Sequence, residues 1–410
     1  MEFAYKKIFP WDFNELISPG SLSSCIEYID LGLLYNQPIG PNVLPNSLIS
    51  IKFGRDFNQP IGPNVLPGSL ESVEFGAFNQ QIRQGVLPNS LISIKFGDAF
   101  NQQIRSNILP DSITFIAFGK SFNQQISGVL PNSLKYVVFG YKFNRPIIRN
   151  GLPDSLESIK FGNNFNKRIN TGALPKSLKN IAFGDSFNKP LGRKNIPDTV
   201  ESIVFGFAFD HPIYTLPSSL KSIEFGREFN HPIDANVLPS SLEYIRFGCH
   251  FNKPIGKGVL PDSLEYIAFG ENFNQLIGAN VLPDSLKYIE FGRHYGNLIY
   301  LPSLPEPIKH QPITANFEHM PSDLEYLAVN NEGILESLNP NSRNIYFTVI
   351  YNNFLTALID ITYPLLYAKN KRYAGGYEII GSEIFDGREY VELINPETYQ
   401  PRSNAKSARK

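Results

Sequence analysis

The sequence predicts a β-rich solenoid. About fourteen coils of some 22 residues stack to share one parallel sheet, and a small mixed α/β cap follows at the C-terminal end. Three observations predict this. The stretch 43–61, VLPNSLISIKFGRDFNQPI, recurs with small changes from near the start of the chain to about residue 329. One slot keeps an amide almost throughout: Asn14, Asn36, Asn58, Asn79, Asn101 and Asn123 open a column that runs on to Asn274, at a spacing of 22 with slips to 21 or 20. The composition is strongly aromatic, with 32 Phe and 20 Tyr against 1 Trp and 2 Met. Abundant Gly (31) and Pro (32) also mark low-complexity disorder, but disordered segments do not carry aromatic residues at fixed spacing.

Within a coil, Ser50-Ile51-Lys52-Phe53 alternates polar and apolar residues, which predicts a short strand with Ile51 and Phe53 turned inward. Leu48, Ile51 and Phe53 fit an L-x-x-L-x-L pattern. Gly54 follows, where a sharp turn is expected. Phe57 and Ile61 return to the core. Pro45 and Pro60 bar helix interiors and favour extended or turn geometry on the far side of the coil. A repeated Asn in such a stack is expected to bond the backbone of its neighbour as an internal ladder. The Ser before each Leu (Ser47, Ser69, Ser90, with Thr199 as a variant) is expected to bond backbone in the same way.

The motif LPxSLxxIxFGxxFNxPI resembles the FNIP repeat, a relative of the leucine-rich repeat. Copies such as 237–255, VLPSSLEYIRFGCHFNKPI, match nearly throughout, and the resemblance runs over residues 13–329. It implies a leucine-rich-repeat-like stack and carries no catalytic residues. The family is found in amoebae and their giant viruses, and several members carry an N-terminal F-box. It therefore implies two alternative functions, a substrate adaptor of a ubiquitin ligase or a structural protein of a virus. Only a dozen residues precede Phe13, fewer than the several helices of an F-box occupy.

Residues 1–12 read as an N-terminal cap segment, 13–330 as the repeat solenoid, 331–395 as a C-terminal cap region and 396–410 as a mobile basic tail. An open solenoid end exposes core and sheet edge, which is why a cap is expected. Residues 320–329 form a last strand unit, and 340–347 read as one more. Residues 351–369 are predicted to form a helix broken near Pro364. Residues 377–394 read as a hairpin turning at Asp386-Gly387.

Composition weighs against several functions, nucleic-acid binding among them. The net charge of −1, from 37 basic and 38 acidic residues, gives no sequence-wide pull towards nucleic acid or an anionic membrane. The apolar run 345–368 is broken by Asn352, Asn353, Asp360 and Pro364, so it is not read as a membrane span. Two cysteines, Cys25 and Cys249, cannot make a disulfide framework, and no secretory leader is visible; both point to an intracellular, cytoplasmic chain. His211 and His231 share a slot in adjacent coils, but no Cys or acidic cluster completes a metal site, so they read as exposed turn residues. Cys249-His250 lacks an orienting acid, so no thiol nucleophile is read there. We therefore expect no catalytic residue, no metal and no cofactor.

What packing leaves undetermined is the outward face of the strands. The column just before the inward Ile contains Phe115, Tyr136, Tyr244, Tyr266, Tyr288 and Tyr326. Phe115 and Tyr136, with Ala117 and Val138 beside them, make an apolar patch; Tyr244, Tyr266 and Tyr288 make an aromatic track. Aromatic residues suit exposed strands in their own right. Tyr is also enriched at the energetic centres of protein interfaces. These six residues are the candidate contacts of a non-catalytic scaffold that binds an unidentified protein partner through its exposed sheet.

Overall fold

The computed structural model describes residues 5–192, 194–278 and 281–292, together with the strand segments 326–329, 346–351, 354–360, 382–385 and 388–391. The chain forms two compact units, Met1–Glu228 and Phe229–Lys410. Both are β-solenoids of the leucine-rich-repeat type, and no helix occurs among the described residues.

The first unit contains β1 (Lys6–Ile8), β2 (Tyr28–Asp30), β3 (Ser50–Lys52), β4 (Ser72–Glu74), β5 (Ser93–Lys95), β6 (Phe115–Ala117), β7 (Tyr136–Val138), β8 (Ser158–Lys160), β9 (Asn180–Ala182), β10 (Ser202–Val204) and β11 (Ser222–Glu224). Each pairs in parallel with the next, residue for residue: Ser50↔Ser72, Ile51↔Val73 and Lys52↔Glu74 are typical. From β2 onward the central residue of every strand is buried and its neighbours face outward. The stack begins before residue 13. β1 pairs with β2 as Lys6↔Tyr28 and Lys7↔Ile29, which puts Phe9 in the slot of Phe53. Lys7 holds a slot that is Ile in most later coils, and it is exposed. A charged residue at the end of a sheet discourages further strand addition.

Two columns of stacked rings fill the core. Phe118 lies 3.9 Å from Phe122 in its own coil and 5.6 Å from Phe139 in the next, while Phe122 lies 6.3 Å from Phe143. These are near-parallel offset stacks, and burying each such side chain contributes about 1.5–3 kcal/mol. The glycine after the inward Phe opens the turn predicted for it, as the Phe57 N–H donating to the Gly54 carbonyl at 3.2 Å shows, and it has a second role that the sequence did not reveal. A Cβ at Gly97 would sit 1.3 Å from the carbonyl oxygen of Gly76, and one at Gly140 would sit 1.8 Å from that of Gly119. Coil-to-coil approach therefore excludes every side chain there. Apart from Gly32, which heads this column at a φ of +78, the left-handed residues include Asn42, Asn64, Gly85, Asn107, Gly128 and Gly172, in the loop before the Val-Leu-Pro segment.

The ladders expected from the sequence are present. The backbone N–H of Asn58 donates to Asn36 Oδ1 at 2.9 Å, that of Asn79 to Asn58 at 2.8 Å, and that of Asn101 to Asn79 at 2.9 Å. Ser69 Oγ donates to the Leu48 carbonyl at 2.7 Å, and Thr199 Oγ1 to that of Leu178 at 3.0 Å. Each bond satisfies a backbone group that a coil cannot satisfy alone.

In the second unit, β12 (Tyr244–Arg246), β13 (Tyr266–Ala268), β14 (Tyr288–Phe291), β15 (Tyr326–Val329) and β16 (Tyr346–Tyr351) run parallel in that order. β17 (Phe354–Asp360) then returns antiparallel to β16. This corrects the helix predicted over 351–369, at least for 354–360; residues 361–369 lie outside the described residues. Tyr351 pairs with Phe354 across Asn352-Asn353. The edge of β16 offers unpaired backbone groups that a returning strand can satisfy. The predicted hairpin is present as β18 (Ser382–Phe385) and β19 (Arg388–Val391), with Phe385↔Arg388 flanking Asp386-Gly387. The tail 396–410 lies outside the described residues.

Candidate functional site

The outward strand columns are positioned by the buried residue between them. Because Ile116 and Val137 point inward, Phe115 and Tyr136 stand side by side outside, as do Ala117 and Val138. Tyr136 is 44% exposed. On the N-terminal side of this patch the second column is charged and paired: Lys52 reaches Asp30 at 3.6 Å, and Lys95 reaches Glu74 at 3.6 Å. The first unit thus presents a charge-paired ladder followed by an apolar patch.

In the second unit the aromatic track is partly built into the protein. Tyr244 and Tyr266 stack at 4.5 Å with an interplanar angle of 11°. Arg246 donates from Nε to Tyr244 Oη at 3.0 Å and from one terminal nitrogen to Tyr266 Oη at 2.8 Å. The same terminal nitrogen lies 3.5 Å from Glu290 Oε2, and Tyr266 Oη donates to Glu290 Oε1. Ala268 stands between Arg246 and Glu290 in the column, and its short side chain lets the two charged groups meet across β13. Burial pushes the Tyr266 phenol far above its ordinary pKa, and the Glu290 carboxylate pushes it further. Burial alone would lower the pKa of Arg246; the Tyr266 and Glu290 oxygens outweigh it and raise it. Tyr266 is therefore a neutral hydrogen-bond donor and Arg246 a fixed cation. Such a cluster can recognise a partner through a neutral donor and a fixed cation.

Of the six sequence-predicted residues, the structure brings Phe115 and Tyr136 together in one patch and Tyr244 and Tyr266 in another. Tyr288 and Tyr326 continue the second column in backbone register, as Tyr266↔Tyr288 and Tyr288↔Tyr326; their side chains lie outside the described residues. Sequence reasoning missed Arg246 and Glu290. The signal was the small Ala268 between opposite charges in one column.

Elsewhere, His211 and His231 are half-buried where exposed turn residues were expected, each with its imidazole against the Phe two residues earlier. Neither Cys25 nor Cys249 is in a disulfide. Among the described residues no group of three or more His, Cys, Asp or Glu is placed to hold a metal ion, and no helix is long and apolar enough to cross a membrane.

The FNIP Repeat profile matches residues 35–77, 78–121, 122–164, 165–208, 209–250 and 251–294. The chain belongs to the FNIP repeat family. Each match takes in two coils. Among solved structures, the FNIP chain is similar to CroV588, a giant-virus protein described as a novel circular LRR protein structure, at 40% identity and a TM-score of 0.69. That match covers 82% of this chain and 55% of CroV588, so the chain spans about half the length of its relative. YopM from Yersinia enterocolitica WA-314 matches at 16% identity over 82% of this chain and 91% of its own, with a TM-score of 0.29, too loose a likeness to argue from. No curated protein matches the sequence.

Proposed function

We propose that this FNIP protein is a non-catalytic scaffold that binds a protein partner on the outward face of its parallel sheet. One observation carries the reading: the inward columns of the strands barely vary, whereas the outward columns change from charged pairs to the apolar Phe115–Tyr136 patch with no demand from packing. Exposed aromatic residues among small neighbours suit the centre of an interface. In the second unit, Tyr244 and Tyr266 are held by Arg246 and Glu290, so a partner would meet side chains already ordered and would lose less conformational entropy on binding.

The test is chemical crosslinking and affinity capture with the full chain against its Phe115→Ser/Tyr136→Ser and Tyr244→Ser variants. The expected result is loss of one set of captured proteins with the first variant, at an unchanged melting temperature. Tyr244→Ser should also lower the melting temperature slightly, because it removes a ring stack and an acceptor for Arg246. Full capture by both variants would place the interface off the sheet.

A further inference from the structure

The near-zero net charge of the chain hides an uneven distribution. Residues 140–215 carry eleven Lys and Arg against six Asp and Glu, a net of +5 in a chain whose total is −1. Much of that excess lies on the Asn side of the coils, in the slot that follows the Asn ladder. In the early coils this slot holds Gln, whose amide reaches back to the preceding Asn: Gln80 Nε2 donates to the Asn58 carbonyl at 3.0 Å, and Gln102 to that of Asn79 at 3.0 Å. From the seventh coil the same slot becomes Arg145, Lys167 and Lys189, then His211, with Arg168 alongside. Arg145 keeps the bond, from Nε to the Asn123 carbonyl at 2.8 Å; Lys167 and Lys189 make none. The coils of Lys167 and Lys189 have exchanged that bond for charge, and Arg145 has gained charge while keeping it.

The row is not neutralised. Among the described residues, Arg145, Lys167, Arg168 and Lys189 have no carboxylate within ion-pairing distance. On another column of the same coils, Lys135, Lys179 and Lys221 are each paired with Glu157 or Glu201. One coil advances about 4.8 Å, so the row from Arg145 to His211 is roughly 15 Å long. Exposed rings stand at both ends of it. Tyr141, four residues before Arg145, is 51% exposed; Phe207, four residues before His211, is 45% exposed, and Tyr214 just beyond is 68% exposed.

We propose that this strip binds single-stranded nucleic acid, with phosphates along the Arg145–Lys167–Lys189 row and bases stacked on Tyr141 at one end and Tyr214 at the other, Phe207 being already covered on one face by the Arg227 guanidinium. An acidic polypeptide would use the cations, but its carboxylates bring no planar group with them, so the rings would go unused unless aromatic residues were added at the right spacing. A single strand uses both, because every base offers a π-face and every linkage a charge. The surface is distinct from the sheet face and does not depend on the protein-binding reading.

The test is fluorescence anisotropy of labelled oligo-deoxythymidylate and oligouridylate with the full chain at several salt concentrations. Binding is expected, with a log–log salt slope of about −3 if four phosphates are neutralised at about 0.7 each. Lys167→Gln/Lys189→Gln restores the residue of the early coils, so it should leave the melting temperature unchanged or raise it while lowering affinity at least tenfold. Tyr141→Ala should lower affinity about tenfold, the loss of one stacked base. Lys160→Glu, on the sheet face, should bind as the parent does. Failure of both oligonucleotides to bind at low salt overturns the proposal. So does competition by polyglutamate equal to that of unlabelled oligonucleotide together with full binding by Tyr141→Ala, which would make the strip a site for acidic protein.

Discussion

Two adjacent columns on the same turn behave in opposite ways. The Asn column accepts a backbone N–H from the next coil and hardly changes along the first unit. The column one residue later is Gln from Gln37 to Gln124, bonds back to the preceding coil, and gives way to Arg and Lys without disturbing the register of the strands. The side chain that replaces a missing backbone partner is fixed by the fold, and the side chain that only adds to a satisfied turn is open to other uses. The same division separates the buried centre of each strand from its outward flanks.

The contrast should fail most severely where space is fully consumed. Gly97→Ala places a Cβ 1.3 Å from the Gly76 carbonyl oxygen and should cost about 4 kcal/mol or more, read as a collapse of the urea midpoint. Gly128→Ala, at a φ of +72 with open space around it, should cost only about 1–2 kcal/mol. Next in size is the pair that states the comparison directly. Asn166→Ala leaves the half-buried Asn188 N–H without its acceptor and should cost about 1–2 kcal/mol, whereas Lys167→Ala should stay within about 0.5 kcal/mol; equal losses in thermal melts would erase the distinction.

Tyr35 sharpens the comparison from the other side, since it puts a hydroxyl into the ring column. Its ring is fully buried against Phe57, and its Oη has no hydrogen-bond partner among the described residues. Tyr35→Phe should therefore stabilise the chain by about 1 kcal/mol. Burial pushes the Tyr35 pKa up to about 12. An unfolded phenol ionises near pH 10, so this group's contribution is intact below about pH 10 and is lost as the pH rises towards 12. Denaturation at alkaline pH should show the Phe variant losing less stability than the parent over that window. The smallest effect is expected on the exposed charged column: Glu157→Gln breaks contacts of 3.4 and 4.0 Å to Lys135 and Lys179 and should cost under about 0.5 kcal/mol, vanishing in high salt.

Most of the coil was legible in the sequence because its letters answer local demands. Ile51 between Ser50 and Lys52 needs only the two-residue period of a strand, and Asn58 and Ser69 need only a backbone without partners. The failures lie where a neighbouring coil decides. The strand at Lys6 is hidden because Lys7 breaks the alternation at an end of the sheet. The helix read over 351–369 rested on an apolar run whose period is ambiguous, and the free edge of β16 settles it as a strand. The glycine column was read as a turn, which it is, but its second role was hidden because a single coil cannot reveal how closely its neighbour approaches. At the candidate site, both aromatic patches were visible, but the Arg246–Glu290 bridge required the register of three strands.

The coils of the first unit keep one register despite differing in length. Ser72 pairs with Ser93 at a separation of 21, and Ser202 with Ser222 at 20, where 22 is usual. The missing residues are taken from turns, one between Gly76 and Phe78 and two between Ile213 and Leu216. At the level of the gene, this means that recombination between any two copies of the repeat joins compatible ends. Small in-frame errors at the crossover fall in loops that absorb them. A protein built this way can lengthen or shorten by whole coils in a single event and still fold, while a row of surface residues is re-dealt each time.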